Sequence, residues 1–258
     1  MSLITFTTDW GSNDFEAAAM KGFILKKNPA TAFVDISNQL PSFDLMSAAY
    51  TLSRCLDSFP EQTVHYVGVE YRAESDTLVI AKILNQWLVC YNNGLLDMLD
   101  QKPDENEVWV LKTNQSVFPS RKLLRTAFVL DSMATNQTVL EFAFKTKEIK
   151  KQFVGLPITD KGLIKGVVIF TDHFGNAVTN ISREHFDTIF GHNKFKIYAS
   201  NHVINFVNDY YNDETSEDGN LIALFNDSNR LEISIKGASA TQLLNLKLND
   251  RVIVELDK

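Results

Sequence analysis

The chain has 258 residues, of which 45% are hydrophobic and 22% are charged, and its formal net charge is −7. This composition is typical of a globular protein with one large domain or two smaller ones, and the negative charge argues against binding to nucleic-acid phosphates. No apolar run reaches the roughly 20 residues of a membrane span, and no signal peptide is visible, so we expect a cytoplasmic protein.

Cys55 and Cys90 lie among apolar residues, which favours buried reduced thiols over a disulfide or a nucleophile. The five histidines lack the spacing of a zinc site, so we expect no metal.

The first predicted element is a strand over LITFT that ends before Asp9. Gly11 indicates a sharp turn, and Asn13 with Glu16 predicts a capping box for the helix that follows. Asp9 is therefore expected at the carboxyl end of a strand and beside a helix N-terminus, where ligands bind in open α/β sheets. The alternative is that Asp9 only stiffens the turn.

Strands over TAFVDIS and TVHYVGV alternate with helices, the second of which is predicted to begin near Asp44. Alternation of this kind predicts a parallel sheet covered by helices. Shorter apolar runs at TLVIAKIL, WLVCY and EVWVLK predict antiparallel additions, with a turn into a short helix at YNNGLLDML. A helix over KLLRTAFVLDSMATN is expected to close an N-terminal α/β domain, Rossmann-like with a mixed sheet, over residues 1–155.

The pattern changes near residue 154. Turn-rich sequence then separates short predicted strands at LIKGVVIF, FKIYA, LIALF, LEISI and RVIVEL, with brief helical patches near 183–190 and 239–246. This pattern predicts a small all-β, barrel-like C-terminal domain over residues 162–258. A cleft between two such domains is the usual place for a ligand.

Four predicted loops carry groups that suit a polar, partly aromatic ligand, and they read TTDWGSND, LPSFD, YNNGLL and TDHFGNAVTNI. The Asn176 amide offers the donor and acceptor that match an adenine edge, and Phe43 and Phe174 offer flat apolar walls. Asp9 could accept both hydroxyls of a ribose. Each group also has a structural interpretation, because Asn93 with the following glycine suits a common turn, Phe174 suits a core, and FGN suits a tight turn.

In this order, the segments resemble those of the S-adenosyl-L-methionine hydroxide adenosyltransferases, whose relatives include the fluorinase and the chlorinase. The family's TTDFG…D…MKG opening resembles TTDWGSNDFEAAAMKGFI, and its IPPxDVxxGAxxL resembles LPSFDLMSAAYTL. Its PNNGLL and DxFGNxxTNI segments resemble YNNGLL and TDHFGNAVTNI. Its C-terminal NSxGxLEIAxxxGSA…LGLxxGDxV resembles LFNDSNRLEISIKGASATQLLNLKLNDRVIV. The resemblance runs essentially from end to end.

The resemblance implies a homotrimer in which S-adenosylmethionine binds where the N-terminal domain of one subunit meets the C-terminal domain of the next, as a substrate and with no further cofactor. The residues that it places on the ligand are Asp9, Phe43, Asp172, Phe174, Asn176, Ser228, Gly237 and Ala238. Of these, Asp9 would hold the ribose hydroxyls, Phe174 and Asn176 the adenine, and Asp172 the methionine amine. The implied reaction displaces methionine from the ribose 5′ carbon.

The chain departs from the family where hydroxide-forming members use an Asp, an Arg and a His. The family's VDPGVGxxRR corresponds to VEYRAESDTL, so Glu70 takes the Asp position and Thr77 the Arg position, with Arg72 nearby. The family's TFHGRD corresponds to VFPSRK, which puts Pro119 at the His position. Glu70 and Thr77 are therefore the candidate catalytic residues. A Glu can act as a base but Pro119 cannot, and His173 either substitutes for it or is only a loop residue.

Three functions stay open. The first is an enzyme that cleaves S-adenosylmethionine with water or hydroxide to adenosine and methionine, weakened by the altered set. The second is a non-catalytic protein that binds adenosylmethionine or adenosine. The third is a halogenase, against which the segment between IAKIL and WLVCY is short and a carboxylate at Glu70 would repel a halide ion.

Overall fold

A computed structural model describes residues 2–69, 77–151, 156–211 and 217–257. The chain divides into two compact units, Met1–Phe153 and Val154–Lys258. The predicted residues Glu70 and Arg72 lie outside the described residues. None of the helices within the described ranges is long and apolar enough to cross a membrane.

The first unit is built on a mixed seven-stranded sheet. Its strands are β1 (Leu3–Thr7), β2 (Ala32–Ser37), β3 (Val64–Val67), β4 (Thr77–Ile83), β5 (Gln86–Tyr91), β6 (Val108–Lys112) and β7 (Ala143–Lys145). Its helices are α1 (Glu16–Lys27), α2 (Leu45–Ser53), α3 (Leu95–Met98) and α4 (Lys122–Thr135). The strand order is β2-β1-β3-β5-β4-β6-β7. The pairs β1–β2, β1–β3 and β3–β5 are parallel, whereas β4 runs antiparallel to both β5 and β6, as predicted.

Alternation along the central strands fills two cores, one on each face of the sheet. Ile80 and Val89 belong to the cluster that contains side chains of α1 and α4. Val79 and Leu88, one residue before them, belong to the cluster that contains side chains of α2 and α3. The strands are therefore buried on both faces, as the apolar runs in the sequence predicted.

The second unit is an antiparallel sheet that curls into a nearly closed barrel. Its strands are β8 (Ile158–Asp160), β9 (Leu163–Thr171), β10 (Ala177–Ser182), β11 (Phe195–Ala199), β12 (His202–Ile204), β13 (Leu221–Phe225), β14 (Arg230–Ile235) and β15 (Arg251–Leu256). The order is β12-β11-β15-β9-β10-β14-β13, and β8 pairs with β9. The Asn208 N–H, just beyond β12, donates to the Ala223 carbonyl on β13 at 2.7 Å and brings the two ends of the sheet together. Two helices complete the unit, α5 (Arg183–Phe190) and α6 (Ala240–Leu243). The predicted fold class, an α/β unit followed by a barrel-like β unit, is confirmed.

The predicted capping box at the start of α1 is wrong. The helix begins at Glu16, so this residue lies in the first turn and not at the third helical position that a capping box requires. Phe15 takes the cap position without a side-chain hydrogen bond, and the Asp14 carboxylate accepts its N–H at 2.7 Å. Phe15 is 68% exposed, although an apolar side chain at the start of this helix would be expected to pack against the sheet. The start of α2 was predicted correctly, because the Asp44 carboxylate caps it through the N–H groups of the second and third helical residues.

The segment interpreted as one long loop, TDHFGNAVTNI, is a turn followed by strand β10. Its Thr and Asn side chains are typical of a loop, so the sequence did not indicate a strand. Both side chains are nevertheless buried and hydrogen-bonded to neighbouring strands. The Thr179 hydroxyl donates to the Leu231 carbonyl at 2.8 Å, and the Asn180 side-chain oxygen accepts the Val167 N–H at 2.8 Å. The pairing of β10 with β9 is irregular between Val178 and Thr179, so some backbone hydrogen bonds between the strands are missing. The Thr179 and Asn180 side chains supply hydrogen bonds in their place, and the polar strand is stable for this reason.

Candidate functional site

The loops after β1, β2, β3 and β5 meet at one edge of the first unit's sheet, where these parallel strands end. Asp9 follows β1 at this edge and is half-buried. Its Oδ2 accepts the backbone N–H of Phe43 at 2.7 Å, and no group among the described residues donates to Oδ1. One carboxylate oxygen thus holds the loop that carries Phe43, while the other is available to a ligand hydroxyl.

Phe43 is presented by the loop that Asp9 holds. Its backbone lies in the left-handed region at φ 65°, which costs a residue with a Cβ about 1–2 kcal/mol, and its side chain is 62% exposed. Neither the strained backbone nor the exposed ring of Phe43 contributes to packing of the hydrophobic core. The structure therefore brings together Asp9 and Phe43, two of the residues that the resemblance places on the ligand.

Two asparagines hold the neighbouring loops of this edge. Asn38, which the sequence analysis missed, accepts the Gly11 N–H at 2.6 Å and the Thr8 hydroxyl at 3.0 Å. Asn93 is 6% exposed and donates through its amide to the Val69 carbonyl at 2.8 Å. The YNNGLL segment is thus a structural turn at this edge, as its alternative interpretation expected.

The three positions that differ from the family pattern are only partly described. Glu70 lies outside the described residues. Thr77 is the first residue of β4 and is 5% exposed, and Pro119 is half-buried between β6 and α4. Neither Thr77 nor Pro119 has a side chain that ionises near neutral pH, so these two positions supply no base.

The second unit contains a cavity of about 770 Å³. Five of the predicted contact residues line it, namely Asp172, Phe174, Asn176, Gly237 and Ala238. Ser228 is not among the described residues that line it and lies in the loop between β13 and β14. The volume falls within the range of roughly 300–1,000 Å³ that is usual for small-molecule sites.

The turn between β9 and β10 shapes one wall of this cavity. Asp172 Oδ1 accepts the Asn176 N–H at 2.8 Å, and its Oδ2 accepts the Asn176 side-chain amide at 2.9 Å. These bonds fix the plane of the Asn176 amide, whose oxygen and second hydrogen have no partner among the described residues. Such a pair of groups can bond to the donor and acceptor of an adenine edge.

Phe174 projects from this turn and is not a core residue. Its side chain is 76% exposed, and its ring centroid lies 6.1 Å from that of His173, which is also exposed. His173 therefore matches the loop-residue interpretation. The exposed face of Phe174 is available for stacking against a flat ligand.

Three polar residues, two in the cavity wall and Glu232 behind it, were not predicted from the sequence. Tyr211 lines the cavity and donates its hydroxyl to Glu232 Oε1 at 2.7 Å, and Ser234 donates to the same oxygen at 3.0 Å. Burial and this hydrogen bond raise the pKa of the Tyr211 hydroxyl above its ordinary value, so it remains a donor. The alternation in LEISI was the signal available, because it places the Glu and Ser on the face opposite the Leu and Ile.

No cluster of three or more His, Cys, Asp or Glu side chains that could hold a metal occurs in the part of the chain that the structure describes. Both cysteines are free. Cys90 is buried, which raises the pKa of its thiol to about 12, and Cys55 is half-buried. Cys90 is therefore a protonated core residue, as the sequence predicted.

Two curated proteins are similar to this chain over most of its length. The (R)-S-adenosyl-L-methionine hydrolase of Methanocaldococcus jannaschii is 28% identical over 274 residues, covering 98% of this chain and 95% of that protein. The protein of the same name from Thermus thermophilus is 30% identical over 202 residues, covering 71% of this chain and 76% of that protein.

Solved structures share the fold. An uncharacterized conserved protein from Thermotoga maritima superposes with a TM-score of 0.81 at 22% identity, over 97% of this chain and 99% of that one. A conserved hypothetical protein from Thermus thermophilus superposes with a TM-score of 0.76 at 24% identity, over the whole of both chains.

Two family models match in the order of the two units. Residues 4–147 match the N-terminal domain of the SAM hydroxide adenosyltransferases, and residues 166–253 match their C-terminal domain. The two matches cover most of the chain and agree with the resemblance in the segments from TTDWG to DHFGN. The chain belongs to the SAM hydroxide adenosyltransferase family.

Proposed function

We propose that the protein binds S-adenosylmethionine and cleaves its bond between sulfur and the ribose 5′ carbon with water or hydroxide. One observation carries this proposal: in a chain of this family, five predicted contact residues line a single cavity of about 770 Å³. The products are adenosine and methionine. Because two relatives are named (R)-S-adenosyl-L-methionine hydrolase, the R epimer at sulfur is the first substrate to test.

Each surface binds one part of the ligand in this proposal. The Phe174 ring and the Asn176 amide hold the adenine, and Asp172 attracts the methionine ammonium. The unbonded oxygen of Asp9 accepts the ribose hydroxyls, and Phe43 packs beside the ribose. We also propose that the chain forms a homotrimer, which light scattering of the purified protein tests by its mass.

The proposed reaction requires the protein mainly to orient the water and the substrate. An oxygen lone pair of water forms a bond to the 5′ carbon, the carbon–sulfur bond breaks, and its electron pair remains on sulfur. Methionine leaves as a neutral thioether, so no general acid is needed, and the water proton passes to a base or to solvent. Alignment and desolvation of the water then set the rate. Glu70 is the proposed base, and no cofactor or metal takes part.

The direct experiment is incubation of the purified protein, dialysed against EDTA, with each epimer of S-adenosylmethionine. Chromatography should show adenosine and methionine formed in equal amounts. A second incubation with added chloride tests the halogenase alternative, which would yield 5′-chloro-5′-deoxyadenosine. A folded protein that neither binds nor converts either epimer would contradict the proposal.

A non-catalytic adenosylmethionine-binding protein is the second candidate. Thr77 and Pro119 favour it, because the side chains at these positions cannot transfer a proton near neutral pH. Binding of S-adenosylmethionine with no adenosine after prolonged incubation would establish this candidate in place of the first.

Asp9→Ala should weaken binding of the adenosyl ligand at least about 100-fold, because it removes both the ribose acceptor and the bond that holds the Phe43 loop. Calorimetric titration measures this loss. Asp14→Ala is the matched control, since the adjacent Phe15 N–H is the only donor to the Asp14 carboxylate among the residues that the structure describes. Equal affinities of the Asp9 and Asp14 variants would remove Asp9 from the site.

Glu70→Gln should slow adenosine formation at least about tenfold while leaving ligand affinity nearly unchanged, because an amide cannot accept the water proton. Single-turnover kinetics with saturating substrate measures this step. Glu105→Gln is the control, because Glu105 is an exposed carboxylate of the same unit, 3.5 Å from Lys147. If the Glu70 variant turned over as fast as the control, another group would have to be the base.

A further inference from the structure

A carboxylate lies buried behind the wall of the cavity. Glu232 is on β14, where Leu231 and Ile233 fill the barrel core and Glu232 and Ser234 point to the other face. Although that face borders the cavity, Glu232 is only 3% exposed. A buried carboxylate of this kind requires donors to satisfy it.

Within the described part of the chain, three side chains donate to this carboxylate. Tyr211 and Ser234 bond to Oε1 at 2.7 and 3.0 Å, and the Asn226 amide bonds to Oε2 at 2.9 Å. These donated hydrogen bonds satisfy the buried carboxylate oxygens in place of water. The Glu232 carboxylate is thus held one hydrogen bond behind the cavity.

The same carboxylate joins three segments around the cavity. Tyr211 comes from the segment after β12, and Asn226 opens the loop between β13 and β14. The Asn226 side-chain oxygen in turn accepts the Ser228 N–H at 2.9 Å, so the predicted contact residue Ser228 is positioned through Asn226. Loss of the carboxylate would remove the acceptor of the Tyr211 hydroxyl and of the Asn226 amide together.

The charge of the Glu232 carboxylate also acts on the ligand electrostatically. Asp172 and Lys236 line the cavity and carry opposite charges, and Glu232, behind the Tyr211 and Ser234 walls, adds a further negative charge. A negative charge held in a water-poor wall acts on the ligand with less screening than a surface charge. The positive sulfur of adenosylmethionine would be favoured there, and a neutral thioether would not.

We propose that Glu232 is a positioning residue whose fixed negative charge also makes the cavity select a positively charged adenosyl ligand over its neutral analogue. The proposal rests on the proposed function, since it concerns the same ligand. It assigns a role to a residue that does not itself line the cavity, acting through Tyr211, Ser234 and Asn226.

The test compares two ligands that cannot be cleaved. Sinefungin carries an ammonium group in place of the sulfonium, whereas S-adenosylhomocysteine carries a neutral thioether. Glu232→Gln should lose at least about tenfold in sinefungin affinity and at most about threefold in S-adenosylhomocysteine affinity, by calorimetric titration. Tyr211→Phe keeps the charge and the ring but loses one bond, so it should weaken both ligands by a similar factor. Glu232→Ser, which brings no amide hydrogens against the three donors, replaces the Gln variant if that variant does not fold.

A similar Tyr–Glu pair in the same unit supplies the control. The Tyr198 hydroxyl donates to Glu255 at 2.7 Å, and neither residue is among the described residues that line the cavity. Glu255→Gln and Tyr198→Phe should leave both affinities unchanged. If a folded Glu232 variant weakened both ligands equally, the selection by charge would be overturned while the proposed function stood. If the wild type bound neither ligand, both would fall.

Discussion

Gly175→Ala is expected to lower the free energy of unfolding by about 2–4 kcal/mol and to abolish binding of the adenosyl ligand. Gly175 has φ +83°, a region that a residue with a Cβ enters at a cost of about 1–2 kcal/mol. An added Cβ would lie 2.0 Å from the Ser239 hydroxyl oxygen and 3.0 Å from the Ser239 Cα. Because backbone as well as side chain is in the way, the turn must move.

Movement of this turn displaces the groups proposed to bind adenine. The Gly175 carbonyl accepts the Thr241 N–H at 2.9 Å, and its neighbours Phe174 and Asn176 line the cavity. Urea unfolding and ligand titration measure the two expected losses.

Gly219→Ala is the matched control, because Gly219 has φ +88° with no atom within 4 Å of the added Cβ. Gly219→Ala should lower the free energy of unfolding only by the cost of placing a residue with a Cβ at positive φ, about 1–2 kcal/mol, and should leave ligand binding unchanged. Equal stability and equal binding of the two variants would show that the close approach to Ser239 has no consequence.

Acidification from pH 7 to pH 4.5 is expected to destabilise the protein by about 2–3 kcal/mol through His65 alone. Burial lowers the pKa of this imidazole from 6.5 to about 4, against a smaller opposing effect of its hydrogen bond with Gln86. Above pH 6.5 the ring is neutral in both the folded and the unfolded chain. Between pH 6.5 and 4 the unfolded chain takes up a proton that the folded chain does not. The free energy of unfolding therefore decreases as the pH is lowered, and it levels off below about pH 4.

The hydrogen bonds of His65 explain why the neutral ring is held. The Gln86 amide donates to the Leu56 and Phe59 carbonyls, so its oxygen faces His65 Nε2, at 2.7 Å, and must accept. His65 Nδ1 is therefore unprotonated and accepts from the Thr5 hydroxyl at 2.8 Å. Because His65 is only 1% exposed, no water solvates an added charge on its ring.

Chemical unfolding of wild type and His65→Gln at pH 7 and pH 4.5 measures this contribution. The variant is expected to be less stable at pH 7 but to lose about 2–3 kcal/mol less on acidification. His202→Gln, at an exposed position on β12, is the control and should follow the wild type. An identical loss in wild type and the His65 variant would contradict a neutral buried imidazole.

The sequence predicted most of the fold because its signals were local. The apolar runs in TLVIAKIL and WLVCY, the Asp44 cap and the Gly94 turn all act within a few residues, and the structure contains each of them. Strand β10 was missed because Thr179 and Asn180 are stabilised by distant strands. The capping box was misplaced because the position of a helix start depends on how the preceding turn packs.

The candidate site was predictable only where one segment builds it. The turn from Asp172 to Asn176 carries its own hydrogen bonds, so its glycine and asparagine were visible in the sequence. The Asp9 bond to Phe43 spans 34 positions and the Tyr211 bond to Glu232 spans 21, and only the folded chain brings these pairs together. Local patterns therefore located the loops and could not reveal which side chains fix them.

Calorimetric titration of the folded wild-type protein with sinefungin tests the central claim most directly, because this ligand is charged like the substrate and cannot be cleaved. We expect saturable binding that Asn176→Ala abolishes, since that variant removes the adenine-facing amide from the cavity. Absence of binding, or binding that Asn176→Ala leaves unchanged, would contradict it.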